Sequence, residues 1–207
     1  MDASAIAAPF ALPTATRAVP SVSPVPEPGF RPMTLDDLPM TYAWLDTPAV
    51  RQWYHKRSYT RALWDAEYAA RIRGELPTRP FIMTLDAEPI GYIQSFRIAD
   101  WPDYARRLPD AAPEAVAVDL FIGRPDCLGR GLGTRLLALF VRDHVFAQRH
   151  ADECPIGPEP VNRHAIRCYS RAGFSFWKIT WDPEYGEYEY WMRRLPAAAG
   201  QPLRPAA

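Results

Sequence analysis

The apolar run Val116-Ala-Val-Asp-Leu-Phe-Ile122 is followed by the glycine-rich turn Leu128-Gly-Arg-Gly-Leu-Gly-Thr134. Apolar residues then recur on one helical face from Leu132 to Val145, which predicts a helix directly after the turn. A strand that leads through a glycine turn into a helix directs free backbone N–H groups at a bound anion. We therefore predict a phosphate-binding turn here.

The spacing of Gly129, Gly131 and Gly133 narrows the kind of phosphate site. No Lys-Ser/Thr pair follows, so the turn is not a P-loop, and it lacks the last interval of the dinucleotide fingerprint. Missing Cβ atoms let a backbone approach a pyrophosphate, and the helix N-terminus adds partial positive charge. An ordinary glycine turn before a helix is the alternative that the glycines alone leave open.

Residues Asn162-Arg-His-Ala-Ile-Arg-Cys-Tyr-Ser-Arg-Ala-Gly-Phe174 predict a helix that ends at Gly173. Together with residues 128–137 they resemble the two signatures of the Gcn5-related N-acetyltransferase (GNAT) family, in the same order and spacing. The resemblance implies an α/β fold of the GNAT type. Such a fold has a mixed, mostly antiparallel sheet that is splayed at the Asp119 strand, with helices on both faces. Acetyl-CoA, the co-substrate, is expected to bind in the splay.

The resemblance also implies a set of cofactor-binding residues. They are Phe121, Ile122, Gly123, Leu128, Gly129, Arg130, Gly131, Leu132, Gly133, Thr134, Asn162, Ala165 and Tyr169. The N–H groups of Phe121 and Gly123 are expected to meet the thioester and pantetheine. Asn162 is equally well explained as a helix N-cap, and both roles can hold at once.

Asp119 and Tyr169 are the candidate catalytic residues. A carboxylate in an apolar strand is costly unless it is hydrogen-bonded or faces a cation, so Asp119 is expected to hold or deprotonate the acceptor amine. The resemblance implies that Tyr169 protonates the departing thiolate. A satisfied acid at a strand end and a core aromatic are the respective structural alternatives.

The similarity is narrower over about Phe30–Arg194, where Glu88-Pro-Ile-Gly-Tyr-Ile-Gln-Ser95 and Asp119 resemble the aminoglycoside 6'-N-acetyltransferases. It implies acetyl transfer to a primary amine of a small molecule, with an aminoglycoside 6'-amine as the expected acceptor. The residues expected to bind this acceptor are Gln94, Asp100, Trp101, Asp119 and Glu159. Those enzymes carry an acid where this chain has Gly157.

Two other functions stay open at this stage. One is an acyltransferase for another amine, such as a siderophore lysine. That branch shares the run from Ile122 to Gly129 but generally lacks a tyrosine at the position of Tyr169. The other is a non-catalytic acyl-CoA-binding module.

Composition limits the partners. Lys+Arg and Asp+Glu balance at 24 each, which argues against a nucleic-acid surface or a polybasic membrane patch. The three cysteines and four histidines form no metal-binding pattern and fit a reducing compartment, so we expect a cytoplasmic protein without a metal. The expected partner is a small-molecule amine, with no nucleic acid and no membrane, and the protein is expected to be a monomer or homodimer.

The chain is expected to hold one folded domain. Residues 1–28 form an Ala/Pro-rich segment that predicts a disordered leader. Residues 29–195 are expected to form the GNAT domain, and residues 196–207 a flexible tail. Thr34 and Thr60 are expected to cap helices, and residues 100–114 to form an irregular loop.

Trp53 and Tyr54 are expected to pack on a surface helix, with a place in the wall of the acceptor site as the alternative. Glu187 and Glu189 are expected to face water, with contact to a polycationic acceptor as the alternative.

Overall fold

The computed structural model describes residues 26–54, 60–183 and 186–197. The expected leader and tail lie almost entirely outside these ranges, and strand β1 (Pro28–Pro32) begins where the leader was expected to end. Within the described ranges no helix combines the length and apolar character that crossing a bilayer requires.

The N-terminal half contains an antiparallel sheet with the order β1-β2-β3-β4, in which β2 is Thr78–Leu85, β3 is Glu88–Arg97 and β4 is Val116–Ile122. Asp86 and Ala87 join β2 to β3 with φ angles of 50° and 68°, the left-handed pair that a two-residue hairpin turn requires. Gln94 on β3 stands directly opposite Asp119 on β4, so both side chains lie on the same face of the sheet.

The described residues between β1 and β2 include the α-helices α1 (Leu38–Leu45), α2 (Pro48–Tyr54) and α3 (Arg61–Ile72). Both expected caps are present, since Thr34 and Asp37 form a capping box and Thr60 Oγ1 accepts the N–H of Leu63 at 3.2 Å. These helices cover one face of the sheet through a core that includes Trp44, Trp64, Tyr68, Ile82 and Tyr92.

The segment expected to be an irregular loop contains a helix, α4 (Pro102–Arg107), so that expectation was wrong. Pro102 occupies the first helical position, where a missing N–H costs nothing. Tyr104 packs against Phe96 with ring centroids 5.0 Å apart. The helix is short and mostly polar, so contacts of Tyr104 and Arg107 with distant strands, rather than a periodic pattern, hold it in place.

The C-terminal half begins with α5 (Leu132–Phe140), which continues in a π-helical turn over Val141–Ala147. Then come β5 (Cys154–Ile156), α6 (Arg163–Arg171), β6 (Ser175–Asp182) and β7 (Glu187–Arg194). The last three strands form a second antiparallel sheet with the order β5-β7-β6. Leu136, Leu137 and Phe140 of α5 pack with Met83 and Ile93, so helices lie on both faces of the first sheet, as expected.

The two sheets meet at one point and then diverge. Val116 N donates to Glu153 O at 3.0 Å, and the described residues show no strand pairing between β4 and β5. Farther along, residues 118–122 and residues 156–159 line a common cavity. The expected splay at the Asp119 strand is therefore present.

Candidate active site

A cavity of about 1140 Å³ opens between β4 and the chain that follows β5, and α2 to α6 complete its wall. Most of the site residues expected from the sequence line it: Gln94, Trp101, Asp119, Phe121, Ile122, Leu128, Gly129, Gly131, Leu132, Gly133, Thr134, Glu159, Asn162, Ala165 and Tyr169. Asp100, Gly123 and Arg130 do not belong to this lining.

The glycine turn presents unsatisfied main-chain donors. Gly129 and Gly131 have φ angles of 70° and 74°, and a Cβ atom at either would meet nothing within 4 Å, so the left-handed backbone rather than space requires glycine. Helix α5 begins after Gly131 without a side-chain cap, and in the described part of the chain the N–H groups of residues 129–134 reach no acceptor. Such a helix N-terminus is suited to bind phosphate.

Basic side chains surround the same end of the cavity. Thr134 Oγ1 lies 3.3 Å from Cys168 Sγ, which brings α6 against the start of α5. From α6, the side chains of His164, Arg167 and Arg171 contribute to the cavity wall. This end therefore combines free amides with cationic side chains.

The free N–H groups along the edge of β4 lie one residue away from those expected. Gly123 N donates to Ile90 O at 2.9 Å and is thus occupied within the protein. Bonded pairs alternate along an antiparallel ladder, so Phe121 N–H also faces β3, whereas the N–H groups of Leu120 and Ile122 face the opposite edge. The assignment of Gly123 and Phe121 as thioester donors was therefore wrong.

Gly123 has a different reason to be glycine. A Cβ atom there would lie 2.1 Å from the Trp44 ring, so α1 could not pack on the sheet. The position serves the close approach of helix and strand.

Asn162, which precedes α6 as its N-cap, and Tyr169 within α6 both line the cavity. Asn162 Oδ1 accepts the N–H of Ala165 at 3.0 Å, which confirms the N-cap, and the residue is 9% exposed at the cavity wall. Burial, with a smaller contribution from the Asp119 charge, raises the pKa of the Tyr169 hydroxyl well above its ordinary value. This phenol keeps its proton at any working pH and can act as an acid.

Asp119 is enclosed by protein on all sides but the cavity. Burial raises its pKa to about 6. A hydrogen bond from Tyr54, the charge of Arg71, the N–H of Leu120 and the Gln94 side chain oppose this rise. Gln94 Nε2 lies 3.4 Å from Asp119 Oδ2. A carboxylate with this pKa can exchange a proton near neutral pH.

An aromatic wall stands beside Asp119. Trp53 and Tyr54 line the cavity, so the expectation that they pack on a surface helix was wrong. Tyr54 lies against Phe121 with ring centroids 4.8 Å apart. Tyr68 and Tyr92 complete the wall from behind, at 2% and 0% exposure. This wall covers one side of the carboxylate with aromatic rings.

Arg71 is a site residue that the sequence reasoning missed. It lies on α3 with its guanidinium carbon 4.4 Å from the centre of the Tyr68 ring, and its side chain is 12% exposed. Nη2 pairs with Glu67, and Nη1 donates to Gln94 Oε1 at 2.7 Å. The i, i+4 spacing of Glu67 and Arg71 was a signal for a helical ion pair, but not for its burial.

A second arginine closes the far side. Arg107 on α4 pairs with Asp182 on β6 and donates to Glu189 Oε2 on β7 at 2.7 Å. Asp182 and Glu189 both line the cavity, so the expectation that Glu189 faces water was wrong. Asp100 is exposed and lies outside the lining, while Asp103, one helical turn farther on, belongs to it.

Glu159 and Gly157 lie together at the end of β5. Glu159 lines the cavity, and Gly157 packs under the Trp191 ring, which a Cβ atom would approach to 3.1 Å. An acid at position 157 would therefore require Trp191 to move. The acids that line the acceptor side of the cavity therefore lie at positions other than 157.

Among the described residues, no group of three or more His, Cys, Asp or Glu side chains is arranged to hold a metal ion. Cys127 and Cys154 are buried, and burial raises the pKa of the half-buried Cys168 thiol.

Comparison with known proteins supports the assignment of the fold and the two motifs. The family described as Acetyltransferase (GNAT) domain matches residues 34–180. The chain is 32% identical over 146 residues to aminoglycoside N(6')-acetyltransferase type 1 of Klebsiella pneumoniae, covering 70% of this chain and 72% of that protein.

Two solved structures resemble the whole fold. The structure of AAC(6')-Ib with paromomycin and acetyl-CoA is 28% identical, with a TM-score of 0.73 and coverage of 81% of this chain and 93% of that one. The structure of the same enzyme with coenzyme A and kanamycin is also 28% identical, with a TM-score of 0.72 and coverage of 82% and 95%. The glycine turn, the splayed strand and the Asn162 helix therefore belong to an acyltransferase, and the chain is a member of the GNAT acetyltransferase family.

Proposed function

We propose that this protein transfers the acetyl group of acetyl-CoA to the 6'-amine of an aminoglycoside. The relatives in Klebsiella pneumoniae and Serratia marcescens are named for this reaction, and a kanamycin resistance protein of Rhizobium radiobacter is 36% identical over 62 residues, which are 30% of this chain. The solved relatives hold acetyl-CoA or coenzyme A together with such compounds.

The charge distribution of the cavity is the observation that carries the proposal. Its acceptor side holds six acids and two arginines: Glu67, Asp103, Asp119, Glu159, Asp182 and Glu189 against Arg71 and Arg107. The other end holds the basic side chains of α6 and the uncapped start of α5. A polycationic amine matches the first end, and the phosphates of acetyl-CoA match the second.

The residues present fit acetyl-CoA, which supplies an activated acetyl group. The N–H groups of residues 129–134 bind the diphosphate, with Arg130, Arg167 and Arg171 as neighbouring cations. Ile122, rather than Gly123, offers its N–H along the free edge of β4. Asn162 and Ala165 contact the pantetheine arm where it passes the start of α6.

Asp119 and Tyr169 divide the proton transfers between them. Asp119 holds the acceptor ammonium and accepts its proton, so that a neutral amine can attack the acetyl carbon. As the new C–N bond forms and the C–S bond breaks, Tyr169 donates its proton to the leaving sulfur, and the second proton that the nitrogen loses returns through solvent to the Tyr169 oxygen. Gln94, Trp101 and Glu159 bind the acceptor around the reacting amine.

An acetyl-CoA consumption assay over several amine classes tests the proposal. We expect turnover with kanamycin, and no turnover with a matched aminoglycoside that carries a hydroxyl at the 6' position. Turnover with other amines alone would contradict the aminoglycoside assignment and favour the alternative acyltransferase. Binding of acetyl-CoA without turnover of any amine would contradict catalysis altogether.

A further inference from the structure

Arg71 is a buried cation beside the carboxylate that the acceptor amine must reach. It points into a polar chain that runs Glu67, Arg71, Gln94, Asp119 from α3 across β3 to β4. Such a charge is costly to bury and would repel a polycationic acceptor, so its position needs an explanation beyond packing. The family resemblance assigns no role to this position.

The hydrogen bonds determine which way the Gln94 amide points. Oε1 accepts from Arg71 Nη1 at 2.7 Å and from the Tyr92 hydroxyl at 2.7 Å. Both partners are donors toward this oxygen, so the amide nitrogen has to be the atom that faces Asp119. Gln94 Nε2 can then donate to Asp119 Oδ2, whereas the opposite orientation would place the Arg71 guanidinium against an NH2 group and the amide oxygen against the carboxylate.

Glu67 in turn fixes Arg71. The Glu67 carboxylate pairs with Nη2 of the guanidinium, and the guanidinium lies over the Tyr68 ring. These two contacts hold the guanidinium beside Gln94. Its charge acts on the carboxylate over a distance, while its hydrogen bond acts through Gln94.

We propose that Arg71 is a positioning residue for the acetyl transfer: it fixes the Gln94 amide against Asp119, and its charge favours the ionised carboxylate that receives the amine proton. The inference rests on the proposed function for the identity of the acceptor. The groups that face Asp119 from the packed elements are Tyr54 of α2, Tyr68 and Arg71 of α3, Tyr92 and Gln94 of β3, and Tyr169 of α6. Glu67 of α3 is paired with Arg71.

The charge part of the proposal has a pH signature. The Arg71 cation lowers the pKa of Asp119 against the effect of burial. Its removal in Arg71→Gln therefore raises that pKa and moves the acid limb of kcat/KM for the acceptor to higher pH, by about one unit. Arg71→Lys keeps the charge but loses the forked hydrogen bonds, so its acid limb stays in place while kcat falls about tenfold.

Arg73→Gln is the matched control. Arg73 ends the same helix, is half-exposed and pairs with Glu75 two residues away. We expect the wild-type pH profile and wild-type kcat from this variant. The KM for acetyl-CoA is expected to stay within twofold in all three variants, since Arg71 lies on the acceptor side.

A direct titration separates this inference from the proposed function. The carboxyl carbon of Asp119 is followed by NMR in protein labelled with carbon-13 aspartate, without acceptor, and assigned by difference from Asp119→Asn. A higher midpoint in Arg71→Gln than in Arg73→Gln supports the proposal. Equal midpoints in two variants that both show a thermal shift with acetyl-CoA would overturn it. Wild-type protein that acetylates no aminoglycoside would overturn the proposed function, whereas the titration would still decide the role of Arg71.

Discussion

Arg107 Nη1 on α4 lies 2.7 Å from Glu189 Oε2 on β7, and the same nitrogen pairs with Asp182 on β6. One guanidinium thus ties α4 to the second sheet across the mouth of the cavity. Both acids are at least 85% buried at the side chain, so solvent does little to weaken the pairs. Loss of this cation would leave two carboxylates facing each other.

We predict that Arg107→Gln lowers the free energy of unfolding by about 3 kcal/mol, because removing one partner of a buried ion pair strands the other. Urea denaturation at neutral pH measures this. Arg106→Gln is the control: Arg106 pairs with Asp103 in a mostly exposed position, so the change there is expected to be under about 0.5 kcal/mol. Equal stabilities of the two variants would contradict the closure of the cavity by Arg107.

The pH dependence of catalysis follows from the pKa of Asp119, which burial raises to about 6. Asp119 accepts a proton only when ionised, so kcat/KM for the acceptor is expected to rise with pH through about 6 and then reach a plateau. The Tyr169 pKa is raised far above the ordinary value, so its loss of a proton sets no limit in the neutral range. Steady-state kinetics from pH 5 to about 9 check this, and an acid limb at the ordinary aspartate value would count against Asp119 as the base.

Asp119→Asn is predicted to lower the activity and to raise the stability of the fold. The folded pKa is about 6 and the ordinary value is 3.8, so ionised Asp119 destabilises the fold, and this cost appears as pH rises from about 4 to above 6. At pH 8 the variant is expected to be more stable by up to about 3 kcal/mol, and below pH 4 equally stable, while kcat falls at least about 100-fold. A variant that loses stability at pH 8 would contradict this prediction, because it would show that hydrogen bonds to the carboxylate outweigh the cost of burying it.

Tyr169→Phe is predicted to lower kcat about 10- to 100-fold with little change in the KM for acetyl-CoA, because only the proton donor is removed. Initial rates at saturating acceptor measure the effect. Tyr188→Phe, at a position that is 58% exposed and outside the cavity, is the matched control and is expected to behave as wild type. Full turnover by Tyr169→Phe would assign Tyr169 to the core alone.

Gly131→Ala is predicted to weaken acetyl-CoA binding about tenfold, since an alanine at a φ of 74° is strained and the turn would relax away from the anion. Gly74 has the same φ of 74° and equally open surroundings at the end of α3. Gly74→Ala should therefore cost the same stability without changing the affinity for acetyl-CoA by calorimetry. Equal affinities in both variants would remove the turn from the binding site.

The elements with strong local signals could be predicted from the sequence. The turn at residues 128–134 and the N-cap Asn162 are set by residues close together in the chain, and the structure places them at the cavity as expected. The N–H directions along β4 were misassigned, because they depend on which edge pairs with β3. A shift by one residue directs every N–H group of the strand to the opposite edge, and the bond from Gly123 N to Ile90 O fixes which edge applies here.

The charged residues of the site were harder to predict for a physical reason. Arg71 and Arg107 lie on helices whose sequence is typical of a solvated surface, and only contacts with distant strands bury them. Gln94 and Tyr169 were found through the family resemblance, whereas Asp119 was also marked by its place in an apolar strand. Their assigned roles stay predictions, as do the oligomeric state, the cytoplasmic location and the boundaries of the leader and tail.

The single hydrogen bond between Val116 and Glu153 has a consequence for handling the protein. Beyond this bond, one edge of β4 has no neighbouring strand in the described residues, and unpaired strand edges promote self-association. A molecule that lies along this edge would shield it. Preparations kept with coenzyme A are therefore expected to stay monodisperse during concentration and storage for longer than preparations without it.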